Sequence, residues 1–194
     1  LIDAESLNEF IECTYFEAGL HRYDVDSGAV ILTGEAIKKS NALAIDDLFA
    51  KEAGKFVCAT AGHGLECILA AHGSGAVQKS QRLKCVLLHV DIGGGTTKIA
   101  LIDRGRIVST AAYAIGGRLL AKDPDGVWNR CDDSIYVVAK SLGIRITKLE
   151  KFTDKSRNQI IKRLAVVLAS VIANKQHDDL ANSLLLTKQI EWSV

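Results

Sequence analysis

Apolar runs and polar breaks follow one another most closely between Val86 and Ala112. A run from Val86 to Val90, interrupted by His89, ends on Asp91. Gly93-Gly94-Gly95 and Thr96-Thr97 follow. Ile99 to Ile102 is a second run, and Asp103-Arg104-Gly105-Arg106 separates it from a third, Ile107 to Ala112. Runs of this length, bounded by glycine and aspartate, predict three strands joined by two tight turns. Upstream, residues 3 to 19 carry Leu7, Phe10, Ile11, Tyr15 and Ala18 on one helical face, with Asp3 placed to cap and Gly19 to stop. Ala29 to Thr33 and Phe56 to Ala59 predict short strands. The stretch between them, from Gly34-Glu35 to about Ala53, predicts a helix, as does Leu65 to His72. Gly73 to Arg82 is expected as a polar connector.

Beyond the meander, Lys122 to Gly126 predicts a turn around Pro124, the one proline of the chain. Val127 and Trp128 suit a short strand after it. Residues 118 to 121 leave a helix start and an extended turn both open, and residues 133 to 142 are weakly patterned. Ile144 to Ile146 is expected as a strand and Leu180 to Leu186 as a last helix. Asp154 to Ala173 predicts the longest helix, with a broad face of Ile160, Ile161, Leu164, Val167, Leu168, Val171 and Ile172. Helices alternating with strands, followed by a three-stranded antiparallel meander, define an α/β domain with a mixed sheet and flanking helices. The expected division is a first subdomain with a connecting helix over 1–82, and a hairpin subdomain with C-terminal helices over 83–194.

Composition narrows the classes. The 194 residues are 48% hydrophobic and 24% charged, the balance of a globular protein. A formal net charge of +1 gives no electrostatic case for nucleic acid or a membrane surface. No apolar run approaches the ~20 residues of a membrane span. Five cysteines without a C-x-x-C pair are expected as reduced, buried thiols of a cytoplasmic protein. The start at Leu1 and the lack of methionine suggest a piece of a longer chain.

The first turn of the meander carries the candidate chemistry. A hairpin needs one or two residues at positive φ, and three consecutive glycines exceed that need. They strip the turn of side chains, so a ligand can reach the backbone N–H groups, and successive N–H groups form an anion-binding concavity. Gly93, Gly94, Gly95, Thr96 and Thr97 are therefore expected to bind phosphate. Asp91, at the strand end, is placed to hold a hydrated Mg²⁺, a hard cation that prefers oxygen ligands. The plain alternative is a glycine-rich hairpin with an ordinary turn aspartate. Neither the P-loop pattern nor a G-x-G-x-x-G opening a helix occurs. No zinc spacing or Ser-His-Asp order is defensible, and His63 and His72 stand alone.

Asp91-Ile-Gly-Gly-Gly-Thr96 resembles the second phosphate-binding hairpin of the actin, sugar-kinase and DnaK-type chaperone superfamily. Within it, four further segments resemble, in order, those of the ethanolamine ammonia-lyase reactivating factor family, EutA. They are Asp26 to Glu35, Ala59-Thr-Ala-Gly62 with Leu65-Glu66, His72-Gly-Ser-Gly-Ala76 and Gly116-Gly-Arg-Leu-Leu120. The resemblance spans roughly residues 1 to 130. It implies an actin-like (ribonuclease H-like) ATPase fold, with ATP and Mg²⁺ as ligands. It implies that Asp91 orients the metal at the β- and γ-phosphates, and that Glu66, opening its helix as in DnaK-type ATPases, positions the attacking water. For Glu66 the competing explanation is a first-turn acid favoured by the helix dipole. Gly116 and Gly117 are implied to approach the nucleotide, with turn geometry as the competing account. Gly34-Glu35 is more simply a helix start than a cleft carboxylate.

The implied activity is that of an ATP-dependent, chaperone-like factor that releases damaged cobalamin from ethanolamine ammonia-lyase, its expected partner; a homo-oligomer is left open. Of the nucleotide elements such an ATPase uses, only the second phosphate hairpin is recognisable. Two other readings stand beside this one. A small-molecule kinase of the same superfamily would need an Asp general base near the hairpin. A non-catalytic interaction module would keep the hairpin without turnover.

Overall fold

A computed structural model describes residues 3–32, 56–149 and 152–192. The chain divides into two compact units, 1–62 and 63–194.

In the first unit, α1 (Ala4–Glu17) starts where Asp3 accepts the Ser6 amide at 3.0 Å. That bond, and the Ser6 hydroxyl, hold the Asp3 carboxyl below the usual carboxylate range. The helix stops before Gly19, whose φ of +68° suits glycine. Leu7, Ile11 and Tyr15 of the expected apolar face are half-buried, but Phe10 is 68% exposed and Ala18 is exposed. A 3₁₀ turn (Arg22–Asp24) leads to β1 (Gly28–Leu32), which pairs in parallel with β2 (Phe56–Thr60). The helix expected between these strands, with Gly34-Glu35, lies outside the described residues.

The second unit is built on the meander. It begins with α2 (His63–Gly73) and α3 (Ala76–Leu83), followed by β3 (Val86–Ile92), β4 (Thr97–Asp103) and β5 (Arg106–Tyr113). All pairings are antiparallel in the order β3-β4-β5, so β4 is central. Arg104 and Gly105, at φ 47° and 86°, turn the second hairpin, the paired positive φ that a two-residue loop demands. Residues 73–82, expected as a connector, are largely helical. Ala76, Val77 and Ser80 bury one face of α3, and Ser80 bonds both the Cys85 carbonyl at 2.7 Å and the Gly105 amide at 3.1 Å. A serine that fastens two loops reads as polar in sequence although it is wholly buried.

After β5 come the hairpin β6 (Leu120–Lys122) and β7 (Trp128–Cys131), then α4 (Asp133–Ser141), α5 (Asp154–Ile172) and α6 (Asp179–Ser183). The weak pattern at 133–142 is thus a helix, burying Ser134, Ile135, Val138 and Ala139. Ile144 to Ile146 is not a strand. Gly143, at φ 68°, ends α4, and the Ile144 amide returns to the Ala139 carbonyl at 2.9 Å. That is a helix C-terminal motif with its trailing apolar residue packed on the core. The last expected helix ends early: Leu184 to Leu186 instead run beside β5, with the Ala114 amide on Leu184 O at 2.7 Å and the Leu186 amide on Ala112 O at 2.8 Å. They cover what would be an open sheet edge. Cys67 is buried, but Cys13 is exposed, contrary to expectation.

The pleat of β4 sorts the core. Ile99 and Leu101 face Ala111 and Tyr113 and join α4, α5 and α6 in the main cluster; Ala100 and Ile102 join Ala71, Ala76 and Val77 beneath α2 and α3. Burial pushes the Tyr113 phenol up to about 12, so it sits in the core uncharged. On α5, Ile160 is 0% exposed and its neighbour Ile161 is 51% exposed. Ile160→Ala should therefore cost ~2–5 kcal/mol of unfolding free energy and Ile161→Ala about 0.5 kcal/mol or less, as read from urea denaturation midpoints.

Candidate functional site

The glycine turn connects β3 and β4. Its register pairs Ile92 with Thr97 and Asp91 with Lys98. Gly93 closes it, its amide donating to Thr96 O at 2.9 Å. The segment after β5 lies against it: the Gly117 amide donates to Gly93 O at 2.9 Å and the Arg118 amide to Gly94 O at 2.7 Å. The approach is closest at Gly116, where a Cβ would fall 2.4 Å from Gly94 O and 2.6 Å from Gly94 C. Among the described residues, the amides of Gly94 and Gly95 donate to no protein acceptor. The Gly93 and Gly94 carbonyls are therefore committed to the fold, while the N–H groups of those same peptide units stay open.

The expected ligand residues separate into two groups. Gly93, Gly94, Gly95 and Thr96 form the turn itself, and Asp91 stands half-buried at its base. Thr97 serves the fold: wholly buried, its hydroxyl donates to Ile115 O at 2.7 Å, tying β4 to the segment after β5. Gly116 likewise answers a packing demand, while Gly117 is exposed beside the turn. Glu66 lies in the first turn of α2 and reaches the sheet. Its Oε1 is 2.6 Å from Lys98 Nζ, and its Oε2 is 4.0 Å from His63 Nδ1. Glu66, Lys98 and the turn are thereby brought together, with Asp91 opposite Lys98.

Two further features were not anticipated. Lys98 is a lysine only 6% exposed, on the same face of the sheet as Asp91. Counting outward from the turn, 92 to 97 and then 91 to 98, would have located it. Arg130 and Asp132 form a paired fork, Nε to Oδ1 and Nη2 to Oδ2 both at 2.8 Å. The fork stands over Gly95, where a Cβ would lie 3.4 Å from Arg130 Nη2. These residues come from a hairpin and helix start whose proximity no local pattern announces.

Next to the turn, Ile92, Ile115, Gly116, Gly117, Leu119 and Leu164 help line a recess of about 260 Å³ that has no charged side chain in its lining. Cys67, next to Glu66, donates to Ala111 O at 3.5 Å, and burial pushes its thiol up, so it is a poor nucleophile. Among the described residues no group of three or more His, Cys, Asp or Glu could hold a metal ion. Asp91 alone suits Mg²⁺ only as one ligand among water and phosphate oxygens, which is how that ion is commonly held.

The chain belongs to the family of the ethanolamine utilisation protein EutA, whose model matches residues 1–194. It is 38% identical over 159 residues to the ethanolamine ammonia-lyase reactivase EutA of Escherichia coli (strain K12), covering 81% of this chain and 34% of that one. With the reactivase of Salmonella typhimurium (strain LT2) it shares 35% over 181 residues, covering 93% and 38%. The chain thus spans little more than a third of the length of these relatives. Among solved structures, the ethanolamine utilization protein EutJ from Carboxydothermus hydrogenoformans overlaps with a TM-score of 0.41 at 22% identity, over 91% of this chain and 56% of its own. MreB 5 of Spiroplasma citri bound to AMPPNP overlaps with 0.43 at 17%, over 93% and 60%. Overlaps this loose carry no argument about ligand or site.

The two glycines of the post-β5 segment differ in the room around them. Gly116→Ala should destabilise by ~1–3 kcal/mol, since the clash is with backbone that cannot rotate away. Gly117→Ala should cost little, because its added Cβ would meet nothing closer than 3.9 Å. Thermal denaturation of both variants checks the contrast.

Proposed function

We propose that this chain is the phosphate-binding part of an ATP-dependent reactivating factor for ethanolamine ammonia-lyase. The observation that carries the proposal is the glycine turn, whose Gly94 and Gly95 amides donate to no acceptor among the described residues and whose base pairs Asp91 with Lys98. Family membership supplies the partner: relatives of this chain are named as reactivases of that lyase. In this reading the amides receive phosphate oxygens. Lys98 balances charge at the base of the turn. Asp91 is the residue that would hold Mg²⁺ through water, and the ion would supply neutralisation of phosphate charge. Glu66, beside Lys98, is the acid available to orient a water, the positioning and electrostatic style of phosphoryl chemistry. Binding and hydrolysis would act on the lyase by favouring one of two conformations with different affinity for it. Release of damaged cobalamin is the outcome that this differential affinity serves.

Titration calorimetry with Mg-ATP tests the reading. Measurable binding by the unmodified chain, weakened at least about tenfold in Asp91→Ala, is the expected result. Equal binding by the two proteins would remove Asp91 from the site. Lyase-stimulated phosphate release, measured with the full-length protein, tests the coupling.

A further inference from the structure

Lysine is among the residues least often buried unless paired, and Lys98 lies in the middle strand of a sheet. Three observations locate its ammonium. Nζ is 2.6 Å from Glu66 Oε1. A Cβ placed on Gly93 would be 3.9 Å from the same nitrogen, so the ammonium lies against the turn at a residue with no side chain to shield it. The second oxygen of Glu66, Oε2, is buried without a hydrogen-bond partner among the described residues, as is the His63 Nδ1 that lies 4.0 Å from it. The Glu66 carboxylate is thus held through one oxygen only.

We propose that Lys98 is a phosphate-binding residue of the glycine turn, and that Glu66 is an internal anion occupying it when no phosphate is present. The inference rests on reading the turn as a phosphate site. An ammonium carries three donors on a flexible stem, so Lys98 can turn a donor from Glu66 towards an oxygen lodged at the Gly94 and Gly95 amides. A phosphate brings more charge to that position than a carboxylate does, and charge-assisted bonds to it are strong. Without Lys98, Asp91 and Glu66 would give the turn an acidic floor that repels the anion its amides invite. The ligand class is a terminal phosphate, either of a nucleotide or as the free ion. Glu66 competes with it for the lysine.

The test is calorimetry with two probes, Mg-ATP and inorganic phosphate, on the unmodified chain and on Lys98→Met, Lys98→Arg, Glu66→Gln and Asp91→Ala. Expected are a loss of at least about tenfold in Lys98→Met, recovery of most of that loss in Lys98→Arg, and tighter binding in Glu66→Gln. The opposite signs are diagnostic, because a purely structural ion pair would weaken binding whichever partner is lost. Binding by Lys98→Met equal to that of the unmodified chain, or a loss in Glu66→Gln matching that in Lys98→Met, overturns the proposal. Should Lys98→Met fail to fold, the sign in Glu66→Gln decides alone. Binding lost in Asp91→Ala yet unchanged in Lys98→Met leaves the phosphate turn standing and removes only Lys98. No binding of either probe by any of the proteins overturns both. The same ranking with inorganic phosphate identifies the free ion as a ligand; a ranking seen only with Mg-ATP identifies the nucleotide.

Discussion

The peptide units of the glycine turn are oriented by the segment lying across them. A trans peptide is planar, and its C=O and N–H point in opposite directions. The Gly93 carbonyl is fixed on the Gly117 amide and the Gly94 carbonyl on the Arg118 amide. The N–H groups of Gly94 and Gly95 belong to those same two peptide units, so they must point away from the segment that holds the carbonyls. The open amides are therefore a consequence of the clasp. The clasp in turn requires a residue without Cβ at Gly116. Removing either part would let the peptides rotate, and the concavity would lose its donors without any ligand residue having changed.

The pleat of β4 does a second piece of sorting. Alternate residues of a strand face opposite sides, so Thr97 goes to the main core and Lys98 to the helix-covered face. Along that face, Ile102 and Ala100 are covered by Ala71, Ala76 and Val77, and the next residue on the same side is Lys98, at the end beside the turn. There Glu66 approaches from α2. A single strand thus anchors the turn through Thr97 and supplies it with a cation through Lys98. Shifting the register by one residue would exchange these roles and bury the ammonium in the apolar cluster.

The meander was legible because its signal is local. Three apolar runs of strand length, separated by glycine-bearing turns, leave few alternatives, and the bounds of β3, β4 and β5 fall within two residues of the expected runs. α3 and α4 were not legible for a common reason. Both are short, and both bury small or polar residues, Ala76 and Ser80 in one and Ser134 and Ala139 in the other. Their burial is decided by what packs over them. Ile144 misled in the opposite direction, since an apolar residue after a helix-ending glycine packs on the core without any ladder. In the site, Asp91 and the glycines announced themselves by sequence adjacency. A hydroxyl beside a glycine turn looks available to a ligand, and only the strand phase shows Thr97 turned inward. Lys98 and Arg130 are tertiary features, visible once β4 is set against α2 and β7 is brought to the turn.

In the proposed reading a phosphate and the Glu66 carboxylate compete for one buried lysine, so part of the binding free energy goes into breaking the Lys98–Glu66 contact. A ligand shifts a conformational equilibrium only as far as its contacts differ between the two states. The Lys98–Glu66 contact ties the first turn of α2 to β4, and in the proposed reading a phosphate that drew the lysine away would loosen that tie. α2 is the first element of its compact unit and packs on both β4 and β5. In the proposed reading, one buried cation shared between two competing anions is the element through which a phosphate would bias that equilibrium.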